Sequence, residues 1–491
     1  MYGENFMNYD NIMQLALERG FYFPSCEIYA DAQAGFWEYG PSGVSMKTKF
    51  IELWRRELVR RDGMLEIDGS QIMSKSVFEA SGHLASFADP IVRCKNCGLN
   101  FRADKLIFEI VKIEIPESAD LLEFDKMISE KNVRCPKCKG EFEKARKFNM
   151  MFKVEIGPEG EPAYLRPETC QSIFVDFPRL FKTMRGKLPL GIAQIGKSFR
   201  NEISPRQSLL RLREFYQAEI EVFCNSNKLN DLEKFSEIQD TIIRIQINDE
   251  IKPLSCKQAV ESGIIPNKFV AYYLGMLTEF YEKTGIDVTK SRFRRLGEKE
   301  KAFYATIAFD FEVQTTTGWL ELVACNYRSN YDLTSHANKS REKFEVLDDE
   351  QKVLPHVFEI SMGIDRSLYT ILEHGLREEK ENDRIVLSVK PYLAPVHVGV
   401  LSLVKKDGLK EKTDEVYLKL KRKYDAFLDH SGAIGRRYRR LDEVGAPFAI
   451  TVDHQTLQDD TVTLRKRDSM QQERIKISDI DSVLAKEIAF P

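Results

Sequence analysis

Phe199-Arg200-Asn201-Glu202, and after a short gap Arg211-Leu212-Arg213-Glu214-Phe215-Tyr216-Gln217-Ala218-Glu219-Ile220-Glu221, decide how this chain is read. Taken as a strand, the second stretch alternates its side chains between two faces. One face carries Arg211, Arg213, Phe215, Gln217, Glu219 and Glu221. The other carries Leu212, Tyr216, Ala218, Ile220 and Val222, with Glu214 as its one charge. The apolar face asks for a core. The polar face is sorted: cations, an aromatic, an amide, then carboxylates. A solvated face of an antiparallel sheet is the common meaning of such alternation, but it mixes charge signs. Sorted charge suits an extended ligand with phosphates at one end, a flat base near the middle and an ammonium at the other.

Residues 190–200 form a second β-like run ending at Arg200, and the loop 203–210 holds Ser204-Pro205-Arg206. Strand, loop and antiparallel strand place Arg200 and Arg211 near the loop end. This unit resembles motif 2 of the class II aminoacyl-tRNA synthetases. Its wording, AQIGKSFRNEISPR at 193–206 and RLREFYQAEIEVF at 211–223, is similar to that of the glycyl-tRNA synthetase family. The resemblance implies that Arg200 holds the α-phosphate of ATP, that Arg211 holds the phosphate tail and that Phe215 stacks on adenine. Asn201, Glu202, Leu210, Leu212, Arg213 and Glu214 complete the implied ATP contacts of this motif.

Composition sets the bounds. At 491 residues the chain has room for two or more domains with ample core. A net charge of −3 confines any nucleic-acid contact to a local basic patch. No apolar run of about 18 residues exists, so no membrane span is expected, and Met1 to Asn5 lack a signal-peptide pattern. Of nine cysteines, Cys26, Cys170, Cys224, Cys256 and Cys325 are scattered singly. That points to a reducing cytoplasm and not to a disulfide framework.

Along the chain, 12–19 reads as a short helix, 44–61 as a strong helix and 64–73 as a β-like stretch. Cys94-x-x-Cys97-Gly98 and Cys135-Pro-x-Cys138-x-Gly140 are two knuckles. Each aims two thiolates at one metal, and together they close a four-cysteine structural zinc site. A redox CxxC is the competing reading. Residues 225–301 are charged and irregular, like an insertion. A strand over 319–326 is interrupted by Glu321, a carboxylate that is costly there unless it meets a cation or metal. A strand over 356–361 puts Val357, Glu359 and Ser361 on one face. Gly363-Ile364-Asp365-Arg366 then opens a helix. Arginine in a first turn opposes the helix dipole, so Arg366 should face an anion. From Tyr392 an α/β pattern takes over, with Arg436-Arg437-Tyr438-Arg439-Arg440 before a strand over 447–452. Four arginines around an aromatic suit RNA, although a charge run is more often a solvated helix face.

The resemblance adds roles. Helix-then-strand at 44–73 stands where the family places motif 1, its dimer interface. Arg102 in FRAD and Glu168 in LRPET match substrate-site positions. Glu321 matches the residue that meets ATP-bound Mg²⁺, with Leu322 beside it. Arg328 matches a substrate-site arginine. The strand and helix around Glu359 to Arg366 are motif 3, with Gly363, Ile364, Asp365 and Arg366 toward ATP. Ile360 replaces the proline usual there. The implied glycine site is Arg102, Glu168, Phe215, Gln217, Glu219, Arg328, Glu359 and Ser361. The implied catalytic residues are Arg200 and Arg366.

The expected fold is α+β: a six- or seven-stranded antiparallel class II sheet flanked by helices, a zinc-knuckle insertion and a C-terminal α/β anticodon-binding domain. The expected divisions are 1–90 (catalytic, motif 1), 91–147 (zinc-binding insertion, with Cys94, Cys97, Cys135 and Cys138), 148–224 (catalytic, motif 2), 225–301 (insertion), 302–389 (catalytic, motif 3) and 390–491 (anticodon-binding, with Arg436, Arg437, Arg439 and Arg440 on tRNA). The expected activity is ATP-dependent activation of glycine and its transfer to tRNA(Gly) by a cytoplasmic homodimer using Mg²⁺. The alternatives are another class II synthetase, such as a prolyl or threonyl enzyme, and a non-catalytic synthetase-like nucleic-acid-binding protein.

Overall fold

The computed structural model describes residues 7–491 apart from 117, 118, 206, 299 and 303. The N-terminal residues 1–6 and Arg206 of the motif 2 loop lie outside the described residues. The centre of the molecule is a nine-stranded sheet. Its order is Glu250–Ser255, Ile242–Ile247, Ser291–Arg295, Ile307–Thr315, Gly318–Ser329, His356–Gly363, Glu214–Cys224, Leu190–Phe199 and Leu65–Ile67. The five long strands from Ile307 to Phe199 pair antiparallel throughout. Two short pairings, 65–67 with 190–199 and 242–247 with 291–295, are parallel.

The sheet is larger than expected because the 225–301 stretch contributes to it. Three of its strands extend one edge. Its helix Lys268–Thr284 joins the main core through Phe269, Leu274, Leu277 and Phe280. Asn267 caps that helix by accepting from the Val270 amide, and Gly285 in a left-handed conformation ends it. The charged, irregular look of the stretch reflects its exposed side.

Strand alternation sets the two faces of the sheet. Ala218, Ile220 and Val222, with Phe358, Ile360 and Met362 of the neighbouring strand, pack on the helices Pro41–Trp54, Lys268–Thr284 and Ile364–Gly375. The opposite face carries Phe223, Val357 and Ile192 at one end, under Phe174 and Phe177 of the helix Cys170–Thr183. The rest of that face carries the polar row.

Three local expectations shift. The β-like stretch 64–73 divides into Leu65–Ile67 and Ile72–Ser74, which join different sheets. Gly69 lies between them, so close to Ser172 and Gln194 that a Cβ would sit 2.3 Å from Ser172 Oγ. The helix predicted over 44–61 starts at Pro41, its first residue, and passes into a π-helical turn at Arg55–Arg60. The strand of the opening motif starts only at Glu214, so Arg211, Leu212 and Arg213 lie outside the alternation.

The cysteine-bearing stretch forms its own unit: a three-stranded sheet of Ala88–Arg93, Asn100–Arg102 and Arg146–Asn149, with helices Ala103–Val111 and Leu121–Glu130 packed through Val92, Leu106, Ile107 and Phe124. The C-terminal residues form a five-stranded sheet in the order Ala426–Asp429, Val398–Ser402, Phe448–Val452, Thr461–Lys466, Gln472–Lys476. Its first three strands are parallel.

Gly43 opens the Pro41–Trp54 helix against the backbone of Phe21, where an added Cβ would lie 1.9 Å from a carbonyl oxygen. Gly43→Ala should cost about 1–3 kcal/mol, as overpacking does, and lower the thermal midpoint. An unchanged midpoint would show that the contact is soft.

Candidate active site

A cavity of about 630 Å³ opens on the polar face of the central sheet. Arg200, Arg211, Arg294 and Arg366 line it. Arg200 donates to Pro167 O at 3.1 Å and lies over the rings of Phe87 and Phe215. Arg211 pairs with Glu202 at 2.6 Å. Arg366 sits in the first turn of Ile364–Gly375, where the dipole opposes it. It is held there by Leu210 O at 3.2 Å and Glu321 O at 3.0 Å, with the Glu321 carboxylate at 3.5 Å. Phe215 lines the cavity beside Arg200.

Buried carboxylates lie in and behind the same wall. Glu168 accepts from Gln171 Nε2 at 2.8 Å and from Cys170 Sγ at 3.0 Å. Glu219 accepts from Thr169 Oγ1 at 2.6 Å, Ser361 Oγ at 2.7 Å and Gln217 Nε2 at 3.2 Å. Glu359 accepts from Asn326 Nδ2 at 2.6 Å and from Arg328 Nη1 at 2.7 Å. Arg328 is 1% exposed, forks onto Asp332 with two 2.7 Å bonds and stacks on the Tyr304 ring at 3.7 Å.

Burial pushes these acids apart in pKa. Burial raises Glu359 to about 7 against the pull of Arg328. Burial and the charge of Glu168 raise Glu219. Glu221 is fully buried, lies directly across the strand pair from Glu359, and neither of its oxygens has a hydrogen-bond partner among the described residues. Burial, then the charge of Glu359, holds it well above the carboxylate range. Glu168 goes the other way: burial would raise it, but His83 and Arg328 hold it well below.

The cavity therefore brings together Glu168, Arg200, Glu202, Leu210, Arg211, Leu212, Phe215, Gln217, Glu321, Leu322, Glu359, Ser361, Gly363, Asp365 and Arg366. Glu219 and Arg328 lie behind it, holding Ser361 and Glu359. Asp365 lines the wall but spends its oxygens on the Tyr216 amide and the Tyr39 hydroxyl. Four expected ATP contacts are elsewhere. Arg213 donates to Glu202 O and Ala34 O, Glu214 pairs with Lys197, Ile364 is core, and Asn201 ties its amide to Met150 O. The broken alternation before Glu214 explains Arg213. Arg102 lies in the cysteine-bearing unit, paired with Asp89 at 3.1 Å and Asp104 at 2.7 Å, outside the cavity lining.

Sequence reasoning missed Asn326, Asp332, Tyr304, Arg294 and Asp310. Only Asn326 carried a signal, two residues from Arg328 on one strand. Glu321 reaches the cavity through an irregularity: the register with the neighbouring strand skips Leu322, so Glu321 and Ala324 share a face.

Two further groups complete the inventory. The four knuckle cysteines put their sulfurs within 4.8 Å of one another, with Cys94 and Cys138 at 3.4 Å and Cys97 and Cys135 at 3.7 Å. A tetrahedron with Zn–S bonds of about 2.3 Å has edges of about 3.8 Å, so the donor set fits zinc. The four C-terminal arginines divide. Arg437 is buried and donates to Ser402 O and Asp429 O, Arg440 pairs with Asp429, Arg439 donates to Asn382 O, and Arg436 is exposed. Arg437 is thus a brace for the domain and not a surface contact.

The raised acids give the protein a pH signature. Burial and the charge of Glu359 hold the Glu221 pKa above its unfolded value, so the stability it contributes falls as pH rises above the unfolded carboxylate range. Glu168 acts oppositely, but only at acid pH. The midpoint of the ligand-free protein should fall from pH 5.5 to 7.5, and Glu221→Gln should flatten the slope. Parallel slopes for both proteins would mean that Glu221 is ionised.

Residues 152–375 match the family model "tRNA synthetase class II core domain (G, H, P, S and T)", and 397–487 match "Anticodon binding domain". A glycine–tRNA ligase of Methanocaldococcus jannaschii is 38% identical, covering 98% of this chain and 99% of its own length. One from Methanothrix thermoacetophila is 39% identical over 95% of each, and one from Pyrococcus furiosus 37% over 99% and 100%. Among solved structures, a threonyl-tRNA synthetase RNA-binding domain from Cryptosporidium parvum superposes with a TM-score of 0.60 at 17% identity over 98% of each chain. A prolyl-tRNA synthetase from the same organism gives 0.60 at 13%, over 99% of this chain and 77% of its own. These two share the fold. The near-full-length identity with the archaeal enzymes goes further, and by it the chain belongs to the glycine–tRNA ligase family of class II synthetases.

Proposed function

We propose that this chain activates glycine with ATP and passes the glycyl group to the 3′ end of tRNA(Gly). One observation carries the reading: a single cavity is lined by Arg200, Arg211, Arg366 and Phe215 together with the carboxylates Glu168 and Glu359. ATP and a small ammonium-bearing acid fit that set of charges. An oxygen of the glycine carboxylate attacks the α-phosphorus. Pyrophosphate leaves with the bridging oxygen. A ribose hydroxyl of the terminal adenosine then attacks the glycyl carbonyl, and AMP leaves. The glycine carboxylate is already ionised, so no side-chain nucleophile is needed. Arg200 and Arg366 orient and neutralise the phosphate oxygens. Glu321 is a hard oxygen donor suited to Mg²⁺, which supplies charge neutralisation across the phosphates when bound.

Glu168, Glu359 and Ser361, backed by Glu219, take the ammonium. The prolyl and threonyl alternatives would call for an apolar or metal-lined pocket, and this cavity is lined by carboxylates. A non-catalytic relative would have no use for Arg200, Arg211 and Arg366 gathered in one cavity. Zinc in the four-cysteine unit is structural, since no position is left open. The 397–487 domain contacts tRNA, with Arg436 as the exposed arginine of its cluster, without an ion pair among the described residues. A homodimer through the 41–67 helix and strand, working in the cytoplasm, completes the proposal. Among the described residues no helix is long and apolar enough to cross a membrane.

ATP–pyrophosphate exchange with each of the twenty amino acids should respond to glycine alone. Exchange with proline or threonine instead would replace the assignment. Arg200→Ala should lower glycine-dependent exchange by on the order of a hundredfold, and near-normal exchange in a folded variant would reduce this arginine to a structural part. Metal analysis should give about one zinc per chain, and a metal-free, folded and active protein would sink the knuckle reading.

A further inference from the structure

Glu168 is tied down more firmly than a ligand-binding carboxylate requires. Three groups converge on its Oε1: Gln171 Nε2 at 2.8 Å, Cys170 Sγ at 3.0 Å and His83 Nε2 at 3.3 Å. Oε2 receives no hydrogen bond among the described residues, and Glu168 lines the cavity. All four residues are buried.

The proton positions follow from the acceptor. An ionised carboxylate only accepts, so Gln171 must turn its NH₂ toward Glu168 and its Oε1 away. His336 Nε2 meets that Oε1 at 3.2 Å and must therefore carry the proton. Burial lowers the pKa of His336, which keeps the ring neutral and the tautomer fixed. By the same rule His83 points Nε2–H at Glu168, and its Nδ1 meets Ser81 Oγ at 2.7 Å. The His83 ring stands edge-on to Phe78 and Phe87. Ser81, His83 and Glu168 have the composition of a hydrolytic triad, but Ser81 is buried and is not part of the cavity lining. The chain of contacts can orient a carboxylate and cannot reach a substrate.

We propose that His83 and Gln171 are positioning residues for the amino acid: they fix Oε1 of Glu168 to the protein and leave Oε2 as the oxygen presented to the ammonium. This rests on the glycine-site reading of Glu168 given above. Without the two donors the carboxylate would turn or share its charge between both oxygens, and the ammonium would lose an aimed acceptor.

The test is a set of single and double variants in glycine-dependent ATP–pyrophosphate exchange. His83→Leu keeps the contacts to Phe78 and Phe87 but removes the donor. Gln171→Met removes its hydrogen bonds to Glu168, Cys170 and His336 at similar volume. Each should raise the glycine KM by on the order of tenfold, as for a hydrogen bond to a charged group. The ATP KM should stay within about twofold. His83→Gln, which restores an N–H donor, should recover most of the loss. In a Glu168→Gln background His83→Leu should add little further, because the two act through one carboxylate. Thermal melts confirm which variants are folded. If His83→Leu is unfolded, Gln171→Met and His83→Gln carry the test. An unchanged glycine KM in folded Gln171→Met and His83→Leu overturns the inference alone. So does a full, additive penalty in the Glu168→Gln background, or an equal rise in the ATP KM through Phe87 and Arg200. If Glu168→Gln itself leaves the glycine KM unchanged, the glycine-site reading falls and this inference with it.

Discussion

The polar face of the sheet depends on Arg328. This guanidinium is buried between Asp332, which it meets with a fork of two bonds, and Glu359, and is stacked on Tyr304. Removing charges from water is expensive, and a buried carboxylate persists only where donors or a cation meet it. Arg328 meets two of the acids directly. Thr169, Ser361 and Gln217 serve Glu219, and Gln171, Cys170 and His83 serve Glu168. Glu221 has no such partner among the described residues, and burial with the charge of Glu359 holds its pKa well above the carboxylate range. The site is thus short of positive charge before any ligand arrives, which is the condition under which an ammonium binds well.

The same sheet explains why this charge stays where it is. A strand can carry carboxylates on one face only if the other face is firmly packed. Ala218, Ile220 and Val222 do that against three helices, and Phe358, Ile360 and Met362 continue the layer. A one-residue slip would exchange the faces and bury apolar side chains in the cavity. Glu219 and Glu221 are therefore held in register by the hydrophobic layer behind them. The site's precision comes from residues that never see the ligand.

Much of this was legible from the chain because the sheet has a period of two. Val357, Glu359 and Ser361 share a face as their spacing requires, and so do Gln217, Glu219 and Glu221. Legibility failed where the period failed. Arg211 to Arg213 precede the strand, so Arg211 and Leu212 both reach the cavity while Arg213 turns to Ala34 and Glu202. The irregularity at Leu322 brings Glu321 to the site from the wrong parity. Residues 225–301 hid three strands behind an exposed, charged side. His83, Asp332 and Tyr304 approach from loops and helices, and nothing local announces such a meeting. Arg437 shows the reverse error: a basic run looks alike whether its members face water or, as here, the carbonyls of Ser402 and Asp429.

Two kinds of arginine serve this molecule, and the difference is what each is already bound to. Arg328 is saturated by fixed carboxylates and buried, so it acts as a brace. Arg200 and Arg366 are held at the cavity wall by carbonyl oxygens of Pro167, Leu210 and Glu321, and Arg366 also lies 3.5 Å from the Glu321 carboxylate. Carbonyl dipoles orient a guanidinium without cancelling its charge, and the remaining N–H groups are left to meet an anion. For phosphate chemistry that is the useful state. The charge is in place before the substrate, so stabilising the transition state needs little further rearrangement. Arg211 lies between the two kinds, since it is paired with Glu202 at 2.6 Å. A triphosphate reaching Arg211 must compete with that carboxylate. On the proposed reading, Arg200 meets the phosphate without giving up a carboxylate, whereas the holds of Arg211 and, at longer range, Arg366 are made by exchanging one anion for another.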